Sequence, residues 1–304
     1  MSEDLGGKCV KKYIKAVLFI IAYTLIYMSL MLICQFAFGI LIGGAGRELP
    51  GLFSQGATMT PERLEEAAIA MANQINDYVL RNTGIIFSIS ALLALLIFIR
   101  IFSARKINLF SEIHMDRRPS GMDIRYGAFA GASANFLISM IVVALQSVGL
   151  FTEAFSEYDS HIEMTFGQGG LFPTFLGLGI IVPIFEEIMF RGMITFEIKR
   201  IAPWKAAIIA QGVIFGLYHL VPVQICYTTP LGIYFGYIAY KSDTIWPAAA
   251  GHIAMNTVAI MLSAPIVEPF LNQPTFSLLF AIISVYMFVS SMMYFVKKKP
   301  PIIL

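Results

Sequence analysis

The sequence predicts an all-α, polytopic membrane protein with about eight transmembrane helices in a single membrane domain, residues 1–304. Hydrophobic residues make up 58% of the chain, charged residues only 13%, and the mean hydropathy is +0.75. A soluble domain carries about 25% charged residues, so an ordinary soluble fold is excluded. Apolar stretches recur along the chain, and a helix of about 20 such residues crosses a bilayer. The predicted spans are 16–43, 83–99, 126–149, 172–196, 206–221, 230–240, 246–265 and 275–296.

The basic residues indicate how these spans are oriented. If the N-terminus lies in the cytoplasm, most of the 21 Lys and Arg residues fall in cytoplasmic segments, as the positive-inside rule requires. Acidic residues then concentrate in the outer segments. Both termini are therefore predicted to be cytoplasmic. The apolar run after the basic N-terminus is too long for the core of a signal peptide, which favours a retained anchor.

An extracytoplasmic segment, 47–82, is predicted to contain an amphipathic helix at 61–80. Thr60 and Pro61 are typical of an N-cap and a first helical residue. Apolar residues then recur at helical spacing, with acidic residues off that stripe. We interpret this helix as a lid or spacer on the outer surface, with a partner-binding site as the alternative. The apolar stripe is Leu64, Ala67, Ala68, Met71, Ile75, Tyr78 and Val79.

Three cysteines predict no disulfide framework, because Cys9, Cys34 and Cys226 fall in a cytoplasmic segment, a span and an outer loop. His114, in a basic cytoplasmic loop, is interpreted as a solvated residue rather than a catalytic one. An outer loop after the third span could supply metal ligands, but no fixed ligand spacing is visible, so a solvated acidic loop is favoured. Its polar residues are Glu153, Glu157, Asp159, His161 and Glu163.

A Gly-x-Ser sequence ends at Ser133 in the third span, and it resembles the serine of rhomboid proteases. Ser133 with His219 or His252 would then be a nucleophile and its base. Small residues of this kind also allow membrane helices to pack closely, and we favour that interpretation.

Three ionisable residues interrupt the fourth span, where a charge costs roughly 2.5–3.5 kcal/mol at the helix centre. Glu187 and Arg191 are four residues apart and share a helix face, so they can form an ion pair. Glu186 is rotated by about 100° from Glu187 and remains for a proton or a ligand. Pro183, just upstream, is expected to kink the helix.

Two further spans carry polar residues at the same spacing. Phe215 and His219 are four residues apart in the fifth span, and His252 and Asn256 are four apart in the seventh. Because buried polar groups in lipid must find partners, residues from the three spans are expected to meet. Helical rise presents one difficulty. Counted from the ends of the predicted spans, His219 lies about 13 Å deeper than Glu186.

The order Glu-Glu-x-x-x-Arg, Phe-x-x-x-His and His-x-x-x-Asn resembles the three motifs of the CPBP family. This group of intramembrane proteases includes type II CAAX prenyl endopeptidases, bacteriocin-processing enzymes and Abi-like relatives. The resemblance covers about 172–262, which we interpret as the catalytic core helices, and the span count is also similar to that family. Residues 47–82 are not accounted for by these motifs.

The resemblance implies a glutamate-type intramembrane endopeptidase. Glu186 and His219 would activate a water molecule, with Glu186 as general base. His252 and Asn256 would donate hydrogen bonds to the tetrahedral oxyanion. The expected partners are membrane lipids and either a prenylated C-terminal peptide or a leader peptide, with no nucleic acid. The supporting residues would be Glu187, Arg191 and Phe215.

Two alternatives remain open. Glu186, His219 and His252 could bind zinc, although no His-Glu-x-x-His motif occurs and no cofactor is expected. The polar residues could instead belong to a non-proteolytic scaffold or immunity protein, or to a proton-linked transporter. No internal repeat typical of transporters is visible.

Overall fold

The computed structural model describes residues 2–42, 60–263 and 273–299. These residues form helices joined by short connections, and no β-strand occurs among them. π-helical turns continue α1 at Phe38–Ile42 and α6 at Glu163–Gly167. The helices of the described ranges are α1 Ser2–Ala37, α2 Pro61–Arg81, α3 Thr83–Ala104, α4 Leu109–Glu112, α5 Gly121–Ser147, α6 Thr152–Ile162, α7 Leu171–Lys199, α8 Trp204–Tyr218, α9 Pro222–Ser242, α10 Trp246–Leu262 and α11 Pro274–Lys297.

The all-α membrane fold is confirmed. Within the described ranges, five helices are long and apolar enough to cross a membrane. Helix α8 is apolar but shorter, and the count of eight spans stays a prediction. The five candidate spans are Val10–Ile40, Thr83–Ala104, Gly121–Ser147, Leu171–Lys199 and Pro274–Lys297.

The short sixth span predicted at 230–240 is wrong in its start. The helix begins at Pro222 and runs for 21 residues, with Pro230 inside it. Proline removes one backbone hydrogen bond, but membrane helices tolerate this loss where neighbouring groups satisfy the freed carbonyl. Pro230 therefore lies inside the helix and does not mark its start.

Helix α2 forms where the sequence predicts it. Pro61 is its first residue, and the Thr60 hydroxyl accepts a hydrogen bond from the Arg63 backbone N–H. No residue of α2 is buried, but Ile75 and Val79 lie against Gly39 in the π-helical end of α1. The earlier part of the predicted extracytoplasmic segment, 47–59, lies outside the described residues. The side of the membrane on which α2 lies stays a prediction.

Helices α5 and α10 pack backbone to backbone. A Cβ at Gly131 would collide with the Gly251 carbonyl, and Gly127 meets Pro247 in the same way. The buried Ser133 hydroxyl donates to the Phe129 and Ala130 carbonyls of its own helix. Ser133 therefore belongs to a close helix contact, as the packing interpretation predicts.

Helix α7 is surrounded by the largest hydrophobic core, which joins it to α1, α3 and α8. Every residue from Ile188 to Ile194 is buried. π-helical turns at Phe175–Ile181 and Ile188–Ile194 lie on either side of Val182–Glu187. π-helical turns widen a helix locally and occur often at functional sites. Here they interrupt the regular α-helix on both sides of Pro183, where the sequence predicts a kink.

Candidate active site

The three polar motifs converge on one cavity of about 660 Å³. Glu186 enters it from α7, His219 from the end of α8, and His252 and Asn256 from α10. The Phe215 ring also lines the cavity. The lining is more apolar than polar, so the few polar groups stand in surroundings that strengthen electrostatic interactions.

Charged and polar groups form a series of contacts from a buried arginine to the cavity. The Arg191 guanidinium lies 3.0 Å from Glu187 Oε1, and both side chains are fully buried. The same carboxylate oxygen lies 2.9 Å from His252 Nδ1. His252 Nε2 then lies 3.6 Å from Glu186 Oε2, beyond a direct hydrogen bond. Glu187 thus pairs with Arg191 and positions the His252 ring, whereas Glu186 faces the cavity.

The Arg191 guanidinium is stabilised by more than its ion pair. It lies over the Phe215 ring, 4.2 Å from the centroid, and 3.5 Å from the Gly232 carbonyl. Cation–π contacts of this kind strengthen when the cation is desolvated. Phe215 also contacts the rings of His219 and His252 edge-on, at centroid distances of 4.8 and 5.7 Å. Phe215 therefore separates the two imidazoles and positions both.

His219 is held in one tautomer by its own helix. Its Nδ1 lies 2.9 Å from the Phe215 carbonyl, which can only accept a hydrogen bond. Nδ1 therefore carries the hydrogen, and Nε2 of the neutral ring keeps a lone pair. A ring in this tautomer can accept a proton from water or from a ligand at Nε2.

The depth difficulty disappears in the structure, because Glu186 and His219 line the same cavity. Helix α7 continues to Lys199, and α8 begins at Trp204 after a short turn. Along the helix axes, Glu186 lies about 20 Å from Lys199, and His219 lies about 22 Å from Trp204. The predicted mismatch arises from counting depth across a ~30 Å core, although α7 is roughly 43 Å long.

Asn256 uses part of its hydrogen-bonding capacity inside the protein. Its Nδ2 donates to the Leu178 carbonyl at 2.8 Å, in the first π-helical turn of α7. An amide nitrogen carries two hydrogens, so one remains for a ligand. His252 is in a similar position. Its Nδ1 is directed at Glu187, and only Nε2 can serve the cavity.

Sequence reasoning missed two tyrosines of the cavity. Tyr27 from α1 and Tyr218 from α8 line it, with their rings stacked at 6.0 Å. Tyr27 packs on Phe185 and is fully buried, and its hydroxyl has no hydrogen-bond partner of normal geometry among the described residues. The Tyr218 hydroxyl donates to the Met31 sulfur at 3.3 Å. No motif in the first span marks Tyr27, so only the fold identifies it.

The segment predicted as a solvated acidic loop is instead helix α6, so the loop prediction is wrong, although its acidic residues are exposed. Phe155 is buried, and Tyr158 and Ile162 are partly buried at helical spacing, which is the signal that could have revealed it. Tyr158, Asp159 and His161 line the cavity. Burial lowers the pKa of His161, and the nearby Glu157 opposes this change.

His114 lies away from the cavity. Its Nδ1 is 2.9 Å from Asp243 Oδ1, and Arg117 pairs with the same carboxylate. Burial lowers the pKa of His114, and the positive charge of Arg117 lowers it further. These contacts fasten the connection after α4 to the end of α9.

The zinc alternative stays a prediction. Among the described residues, no group of three His, Cys, Asp or Glu side chains is placed to hold a metal ion. Glu187 and the Phe215 carbonyl each contact one histidine Nδ1, which leaves Nε2 of both rings free, as in histidines that bind a metal. Cys34 and Cys226 are free and add no ligand to the cavity.

Residues 168–258 match the sequence model of the family described as Type II CAAX prenyl endopeptidase Rce1-like. The matched range contains all seven residues of the three motifs. We call residues 168–258 the Rce1-like segment after this similarity. The resemblance to the CPBP family seen in the sequence is thereby confirmed, and the Rce1-like segment contains α7, α8, α9 and most of α10.

A curated relative agrees with this assignment. Over 94 residues the chain is 29% identical to "Putative membrane peptidase YdiL" of Bacillus subtilis (strain 168). The match covers 31% of this chain and 38% of that relative. No solved structure matches the chain. Both similarities are to membrane peptidases, and each covers about a third of the chain.

Proposed function

We propose that the protein is an intramembrane endopeptidase that hydrolyses a peptide bond of a membrane-associated or lipidated peptide. One observation carries the proposal. Glu186, His219, His252 and Asn256, from three helices of the Rce1-like segment, line one cavity. Cleavage inside a membrane needs a water-accessible polar site, and non-helical or polar groups at this depth are tolerated where they line such a cavity.

In the proposed reaction, the oxygen of a water molecule attacks the scissile carbonyl carbon. Glu186 accepts a proton from this water as the new bond forms. The lone pair on His219 Nε2 accepts a hydrogen bond from the same water and orients it. The tetrahedral oxyanion is stabilised by the remaining N–H of Asn256 and by protonated His252 Nε2. When the C–N bond breaks, Glu186 returns the proton to the leaving amine.

Glu187 and Arg191 act as positioning residues in this proposal. The Glu187 carboxylate accepts from His252 Nδ1 and stabilises the ring when both nitrogens carry hydrogen. Arg191 forms an ion pair with Glu187 and so holds its carboxylate in place. The division follows the two faces of the helix, because adjacent glutamates point about 100° apart.

We further propose that the Tyr27 hydroxyl donates to the substrate carbonyl or to the oxyanion. The Tyr27 ring lines the cavity, and its hydroxyl lies within electrostatic reach of Tyr218 and of the proposed base Glu186. Removal of one oxyanion donor typically lowers kcat by about 10²–10³-fold. We therefore expect Tyr27→Phe, which keeps the ring, to lower kcat by about 10²-fold with little change in KM.

The matched control for Tyr27→Phe is Tyr234→Phe. The Tyr234 hydroxyl contacts Ser291 at 2.9 Å and does not line the cavity, so its loss should leave kcat unchanged. Steady-state cleavage of a reporter peptide by reconstituted protein measures both variants. A wild-type kcat in Tyr27→Phe would contradict the assigned role.

Metal removal tests the proposed mechanism separately. We expect protein treated with a strong chelator, and shown by elemental analysis to hold less than stoichiometric zinc, to cleave peptide at the untreated rate. The reason is that Glu186 accepts and returns the proton, and His219 orients the water, without a Lewis acid. Loss of activity that added zinc restores would establish the zinc mechanism instead.

The substrate class is tested with three peptides of the same sequence. One carries a prenyl group near its C-terminus, one is fused to a membrane-spanning helix, and one is unmodified. We expect cleavage of at least one membrane-bound form and slower cleavage of the unmodified peptide, because the apolar cavity lies among membrane helices.

A further inference from the structure

A second groove, of about 540 Å³, lies where α1, α3 and α7 meet. It shares no residue with the catalytic cavity. Its lining is almost entirely apolar, but three basic side chains stand at its rim. Leu18, on the α1 side, is 59% exposed in the isolated chain and faces the hydrocarbon in a membrane. The lining residues are Lys15, Leu18, Phe19, Ala22, Arg105, Ile107 and Arg200.

One buried carboxylate organises two of the basic groups. Glu197, near the end of α7, is fully buried and pairs with Arg105. Arg200 donates to the other carboxylate oxygen at 3.1 Å. Tyr23 donates to Glu197 Oε1 at 3.1 Å and accepts from Arg105 at 2.8 Å. Glu197 therefore fixes two guanidinium groups side by side.

The aromatic rings around the groove restrict Arg105 further. Its guanidinium lies 4.1 Å from the centroid of the Phe19 ring and 5.1 Å from that of Phe102. A guanidinium held in this way presents its remaining N–H groups in a planar fork, the geometry that phosphate oxygens accept. The side chain of Arg200 is 43% exposed, so its outer N–H groups reach the groove rim.

The charges of the groove do not balance. Arg105 and Arg200 share the single carboxylate of Glu197, and Lys15 lines the same groove without an ion pair to any described residue. Membrane topology alone requires basic residues near the cytoplasm, but it requires neither a buried carboxylate to align them nor an apolar groove between them. The surplus positive charge beside an apolar groove complements an anionic amphiphile.

We propose that this groove binds an anionic glycerophospholipid, with the phosphate between Arg200, Arg105 and Lys15 and an acyl chain along Leu18, Phe19 and Ala22. The phosphate would neutralise positive charge that the single carboxylate of Glu197 does not. The acyl chain would cover apolar surface on α1. Such a lipid would fasten the first helix to the end of α7, the helix that carries Glu186.

The test is lipid binding by the full-length protein. Native mass spectrometry titrations compare phosphatidylglycerol with phosphatidylcholine of identical acyl chains. We expect wild-type protein to prefer phosphatidylglycerol. Lys15→Gln and Arg200→Gln should each weaken its binding about fivefold, and the double variant about 25-fold, without changing the phosphatidylcholine affinity. Lys15 and Arg200 are exposed, and Arg105 still pairs with Glu197 in both variants. Thermal unfolding of each variant checks that it is folded.

Lys199→Gln is the matched control, since it removes an exposed charge one residue from Arg200 and outside the groove. It should keep the wild-type preference. Equal weakening by Lys199→Gln, or unchanged binding in the double variant, would overturn the proposal. Inorganic phosphate that binds as tightly as the lipid would also overturn it, because the acyl groove would then contribute nothing. Binding requires no peptidase activity, so this result is independent of the proposed function.

Discussion

Glu186→Gln is expected to lower peptide cleavage by roughly 10²–10⁴-fold, the range that general acid–base catalysis contributes. Glutamine has the shape of glutamate but cannot accept a proton from water at this step. The substitution leaves the Glu187, Arg191 and His252 contacts in place. The measurement is the cleavage rate of a membrane-presented reporter peptide by the reconstituted variant, together with its thermal unfolding.

His219→Ala should show the same loss, because it removes the second group that orients the water. Glu153→Gln is the control, since Glu153 is exposed on α6 and does not line the cavity. Wild-type cleavage by the Glu186→Gln variant would contradict the assigned base. Unchanged biological activity in both inactive variants would instead indicate a scaffold, the non-enzymatic alternative.

Arg191→Met is expected to destabilise the protein by about 3–5 kcal/mol, because it leaves the buried Glu187 carboxylate without its counter-ion. The Glu187→Gln, Arg191→Met double variant should recover much of that loss, since removal of a whole buried ion pair is often nearly neutral. Thermal unfolding in a fixed membrane mimic measures both variants.

The double variant also separates stability from catalysis. It should remain poorly active even though it is folded, because the neutral amide introduced by Glu187→Gln cannot stabilise protonated His252 as a carboxylate does. A double variant no more stable than Arg191→Met would contradict the ion-pair argument. A fully active double variant would remove Glu187 from the proposed mechanism.

Much of the fold follows from local patterns in the sequence. Composition decides the all-α membrane class, and Thr60–Pro61 with the apolar stripe decides α2, because capping and periodicity depend on nearby residues alone. The pairing of Glu187 with Arg191 follows equally from their spacing on one helix. Pro230 shows where local rules fail, since the surrounding helices decide whether a proline ends a membrane helix.

The site was predictable only where a motif marked it. Glu186, His219, His252 and Asn256 could be named from three short patterns, and the fold brings them to one cavity. Helix α6 and Tyr27 carry no such pattern. Their positions depend on how α1 and α6 pack against the motif helices. That packing involves contacts between residues far apart in the chain.

By itself, therefore, the sequence determined the membrane class, the amphipathic helix and the residues of the motifs, because each depends on composition or on spacing within one element. Only the tertiary structure decided which glutamate holds His252, that Tyr27 and α6 enclose the cavity, and that Glu197 aligns Arg105 with Arg200. The physical reason is that buried charges in a membrane protein must find partners on other helices. The identity of those partners is set by helix packing and not by local propensity.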